Sequence, residues 1–94
     1  MINKNNENQC ADLEVSLKNA TKSYISDNRY NNDVNLTNIK ASVLLNAGYL
    51  TKEIINPYTN EIIQPDSIEI TILLSDNYTP QEITVNEWQN ICKR

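Results

Sequence analysis

Ser67-Ile68-Glu69-Ile70-Thr71-Ile72-Leu73-Leu74-Ser75 places Ile68, Ile70, Ile72 and Leu74 on one face of an extended chain and Glu69, Thr71 and Leu73 on the other. Twofold alternation of this kind marks a β-strand with one buried face. The stretch is the strongest strand in the sequence. Downstream, Asp76-Asn77-Tyr78-Thr79-Pro80 has the composition of a loop, and Glu82 to Val85 returns as a partner strand with Ile83 and Val85 facing inward. Upstream, Pro65-Asp66 stops a shorter candidate strand over Glu61 to Gln64. Asn56-Pro57-Tyr58-Thr59-Asn60 forms a turn between that strand and a short extended segment over Lys52 to Ile55. After Trp88 the pattern is ambiguous, with Asn86 as the expected cap of a final helical turn carrying Trp88, Ile91 and Cys92.

The first half of the chain has a different period. From about Glu7 to Asn28, Cys10, Leu13, Leu17, Ala20 and Tyr24 recur at spacings of three and four, without glycine or proline. These residues form one narrow stripe on a long helix, a seam that beds onto something broad. A polar loop over Asp27 to Asn35 follows; it lacks the spacing and the glycine of a calcium-binding loop. A second helix is expected from Leu36 to Ala47, capped by Asn35, with Leu36, Ile39, Val43, Leu44 and Ala47 buried. Gly48 stands where a helix ends in the left-handed conformation. The expected architecture is α+β: a long N-terminal helix across a small antiparallel β-meander, buried against Ile68, Ile70 and Ile72, with a second short helix between them. The 94 residues fit one domain, with Met1 to Asn6 a disordered lead or a start added to a truncated chain.

Composition excludes several functions. The formal net charge of −4 argues against a nucleic-acid partner. Lys18, Lys22, Arg29 and Lys40 read as a solvated face, with Glu14 and Lys18 an ordinary i,i+4 pair. There is no histidine and one glycine, which removes the commonest general base, the commonest metal ligand and any Gly-rich phosphate loop. Ser16, Ser23 and Ser42 have no base to activate them. Glu69 and Glu82, facing across the hairpin, superficially mimic paired catalytic carboxylates but read as exposed strand residues. Neither catalysis, a cofactor nor a metal is expected. Three glycosylation sequons, at Asn19, Asn35 and Asn77, match by pattern in an asparagine-rich chain. Tyr58 and Tyr78 fall on turns, where exposed aromatics mark surface contacts.

The two cysteines, Cys10 and Cys92, form no CxxC pair. The choice is between two free thiols and one bridge. A bridge is the expectation, because a domain this small has a thin core and gains most from closing nearly its whole length into a loop. Such a bridge implies an oxidising, extracytoplasmic location. The first residues lack the apolar core of a signal peptide, and no stretch is a membrane span, so export would use a targeting segment upstream.

Leu17-Lys18-Asn19-Ala20-Thr21-Lys22-Ser23-Tyr24-Ile25 resembles the soluble half of the long first helix of type IV pilin-like proteins. Leu45-Asn46-Ala47-Gly48-Tyr49-Leu50, followed by Ile55-Asn56-Pro57-Tyr58-Thr59-Asn60, is similar to the "aGYL … (D/N)P-x-T-(G/N)" signature of pilins and pseudopilins from low-GC Gram-positive bacteria. The resemblance covers about residues 7 to 86. It implies a structural subunit, a pilin, minor pilin or pseudopilin, of a type IV pilus or a related secretion or DNA-uptake filament. Its partners would be other pilin subunits and the assembly machinery, its place the cell surface, and its only membrane contact an upstream apolar helix. The headpiece by itself would be a monomer. The alternative is a free secreted, disulfide-stapled binding module: an adhesin, an inhibitor or a small effector.

Overall fold

The computed structural model describes residues 4–30, 35–76 and 79–93. Helix α1 spans Lys4–Asp27, about 36 Å of continuous rod. It begins three residues ahead of the expected Glu7, which sits in its first turn where a carboxylate favours the helix dipole. Leu17, Ala20 and Tyr24 are buried as the stripe requires, Cys10 with them, and Leu13 is half-buried. Thr21 and Ile25 widen the buried stripe. Thr21 carries a polar group into the core without penalty, because its hydroxyl donates to the Leu17 carbonyl at 2.7 Å. At the other end, the Asn28 side chain donates to the Tyr24 carbonyl and closes the helix.

The expected second helix is divided in two. Strand β1 is Asn38–Lys40, and helix α2 is only Ala41–Asn46. Asn35 does not cap a helix. Its Oδ1 accepts from the Thr37 hydroxyl and from the Thr37 and Asn38 N–H groups, an Asx turn that launches β1. Ile39 is buried as expected, but on a strand, opposite Ile70. The sequence disguised this because Leu36, Ile39 and Val43 have helical spacing, while three residues are too few to display a twofold period.

Gly48 ends α2 as expected, at φ +86°. The Gly48 N–H donates to Leu45 and the Tyr49 N–H to Leu44, the paired bonds of a Schellman motif. Strands β2, Glu69–Leu74, and β3, Pro80–Val85, complete an antiparallel sheet of order β1-β2-β3. The architecture is α+β, with a long N-terminal helix on a small antiparallel sheet and a short helix between them. Ile70 faces Val85 and Ile72 faces Ile83, all four buried. A register shift at Leu73–Leu74 turns the strand end outward, so Leu74 is only partly buried. β3 is the strand closest to α1, so the helix meets Ile83 and Val85 first, and Ile68, Ile70 and Ile72 close the same core behind them.

The two weaker candidate strands make no ladder. Lys52 to Ile55 and Glu61 to Gln64 meet at one bridge, Ile55 to Ile62, with the Ile63 N–H donating to Ile54. Pro57 and Pro65, which have no N–H to donate, stand close on either side of the bridge, and the pairing does not extend past it. The last element, α3, is Trp88–Ile91, entered not from Asn86 but through Glu87 in the left-handed conformation, φ +58°.

Candidate functional site: a groove along the first helix

Three local devices position the surface beside α1. The first is the Gly48 turn, which aims Tyr49 back at α1. Its ring meets Tyr24 edge-on, centroids 5.5 Å apart, and its hydroxyl donates to Asp27 Oδ2 at 2.6 Å. That donated bond to a carboxylate holds the Tyr49 pKa above its ordinary value, since ionisation would leave two anions face to face.

The second device is the loop after Ile55. Asn56 is one of two buried polar residues among those described. Its N–H donates to Glu61, its Oδ1 accepts the Tyr58 N–H, and Asn60, at φ +63°, donates its N–H to the Asn56 carbonyl. The remaining amide hydrogen bond goes outside the loop, from Asn56 Nδ2 to the Lys93 carbonyl at 2.7 Å. The third device is the C-terminal tail. Cys10 and Cys92 form a disulfide with Cα atoms 5.9 Å apart, and Trp88 Nε1 donates to the Cys10 carbonyl at 2.9 Å.

Between α1 and the segment from Tyr49 to Ile54 runs an open groove of about 510 Å³. Leu13, Leu17, Ala20, Leu50 and Ile54 line its apolar part, and Ser16 and Ser23 form the helix rim. It stays open because those rim side chains are short and residues 50–53 join no ladder. A second volume of about 300 Å³ continues past Leu13 and Ser16 to Gln9, Asp12 and Ile55. Together they follow α1 from Gln9 to Ser23, about 21 Å. Ile55, at its end, pairs with Ile62, and both are exposed, an apolar ledge beside the groove. The groove presents an apolar floor with hydroxyl, amide, ammonium and carboxylate rims. That chemistry suits docking of another surface and contains no nucleophile paired with a base.

Sequence-singled residues distribute unevenly. Cys10 and Cys92 are joined, and Leu13 links the core seam to the groove. Tyr58 is half-buried against the core, and Tyr78 lies outside the described residues. The exposed aromatic that sequence reading missed is Tyr30, 81% accessible just beyond α1. Glu69 and Glu82 do not face each other. Glu82 pairs with Leu73, four residues and about 13 Å along β2 from Glu69. Lys18 pairs with Glu14 at 3.7 Å, as the spacing requires. The Asn19 sequon lies within α1 with Thr21 wholly buried. Among the described residues, no group of three or more Cys, Asp or Glu converges to hold a metal ion, and no helix is long and apolar enough to cross a membrane.

The roles of Asn56 and Tyr49 had a partial signal in sequence: asparagine before proline in a turn, and tyrosine after a lone glycine. Their distant partners, Lys93 and Asp27, had none. Comparison of the chain with protein-family models, with curated proteins and with solved structures finds no match.

Proposed function

We propose that this chain is the folded head of a filament subunit, a pilin, minor pilin or pseudopilin of a type IV pilus or a related secretion or DNA-uptake machine. On this reading it is displayed at the cell surface of a Gram-positive cell and assembles through an apolar helix upstream of α1. The observation that carries the reading is α1 itself: an unbroken 24-residue rod seated on an antiparallel sheet, its buried stripe beginning at Cys10. A head of this form would leave the upstream helix free to pack among its neighbours while the sheet and loops face outward. The disulfide supports an oxidising location. The groove beside α1 supplies a surface on which an adjoining subunit can rest.

The upstream coding sequence is the first test. About 20 apolar residues leading into α1, preceded by a Gly-Phe-x-x-x-Glu-type processing site, support the proposal. Immunogold labelling of cells with antibody against the head then decorates filaments. A conventional signal peptide ending just before α1, with the protein free in the medium, overturns it. That result favours the secreted binding module, for which the groove would be the binding surface.

A further inference from the structure

We infer that the C-terminal tail is a mechanical clasp on α1, so that load entering the helix from its N-terminal end is shared with the tail instead of peeling the helix off the sheet. The inference rests on the filament reading for its biological sense, since it supposes that α1 is pulled; its physical content does not. Residues Asn5 to Gln9 are largely solvent-exposed and polar, and the first residue of α1 to enter the core is Cys10. Without a tie, tension along α1 would open the core there and lift Leu13, Leu17 and Ala20 in turn, one helical turn at a time.

The tail closes that route at its first step. Cys10 is bonded to Cys92, the Cys10 carbonyl takes the Trp88 indole N–H, and the Lys93 carbonyl takes the Asn56 amide. Trp88 is 5% exposed and both bridge cysteines are under 10%, so the clasp is seated in the core and not laid over it. Pulling on residue 9 therefore loads α1 and the β3–α3 segment in parallel. The two elements have to leave the core together, and peeling one helix becomes shearing two.

Single-molecule force spectroscopy of the whole chain tests this, with one handle at the N-terminus and one at Leu73→p-azidophenylalanine, an exposed site on the outer face of the central strand. With the bridge intact, the expected trace is one rupture with a full extension of about 110 Å, the length of the shorter covalent path through the bridge. After reduction, α1 leaves first at a force at least twofold lower, and extension reaches about 260 Å. An equal first-rupture force in the two redox states overturns the clasp. Should the reduced chain unfold before load is applied, oxidised Trp88→Leu gives the answer: a lowered rupture force supports the clasp, and an unchanged one overturns it. Either failure leaves the filament proposal standing, because that proposal is tested by the precursor and by labelled filaments.

Discussion

Removing the Cys10–Cys92 bridge tests the energetics of the whole fold. The two residues are 82 apart in sequence, so the bridge closes almost the entire unfolded chain into a ring. The loop-closure relation gives about 15 cal/mol/K lost from the unfolded state, or about 4.5 kcal/mol at 25 °C. Domains of this size have total stabilities of about 5–15 kcal/mol, so this one bond is about 30% of the stability or more. Unfolding entropies near 2.1 cal/mol/K per residue give about 0.2 kcal/mol/K for 94 residues, which converts the loss to a fall in Tm of about 20 °C. The suitable variant is Cys10→Ala with Cys92→Ala, because both positions are buried among apolar neighbours and a serine pair would add unpaired hydroxyls. Circular dichroism gives Tm, and urea titration gives the m-value. The entropic account requires the m-value to rise as the unfolded chain expands. A Tm change under about 5 °C would refute the reasoning. A full Tm loss at constant m-value would move the effect from the unfolded ring to native packing around Trp88.

Four further outcomes follow from individual residues. Leu17→Ala, at a site 1% exposed, costs about 3 kcal/mol and lowers the urea midpoint without changing the m-value. Gly48→Ala costs about 1 kcal/mol although nothing lies within 4 Å of the added carbon, because the cost is torsional; D-alanine at the same position, introduced by chemical synthesis, leaves the Tm unlowered. Asn56→Ala leaves the Tyr58 N–H and the Lys93 carbonyl without their partner and costs about 2 kcal/mol, read as faster hydrogen exchange at Tyr58. Because the folded pKa of Tyr49 is raised above its unfolded value near 10, its contribution is complete below that value and is lost as pH rises through the folded one. Thermal scans above pH 10 therefore show a decline that Tyr49→Phe makes shallower.

The parts of the fold legible in sequence are those fixed by period and punctuation. α1, β2 and β3 each have enough residues to display their repeat, and Gly48 announces the end of α2 before any partner is known. β1 was illegible because a three-residue strand has no period to read; what makes it a strand is the Asn35 turn beneath it and Ile70 beside it. The same limit applies to the groove. Leu13, Leu17 and Ala20 on its floor have the spacing of a core seam, and Leu17 and Ala20 are buried; its open side arises because residues 50–53 fail to pair, a property of what the chain does not do.

The residues around Gly48 and Asn56 can be sorted on these grounds. Gly48 turns the chain, Tyr49 fastens it to Tyr24 and Asp27, and Asn56 and Asn60 shape the next loop and hold the tail. Each has a folding role whatever the protein assembles with, so these residues speak for architecture. Function has to be argued from residues with no such role. Those are the exposed ones: Ile55 and Ile62 on the ledge, Val15 on the solvent side of α1, Leu73 on the outer sheet face, and Tyr30. None of them is needed to close the core, and on the filament proposal these are the positions where a charged substitution abolishes assembly while Tm stays within about 3 °C of the parent.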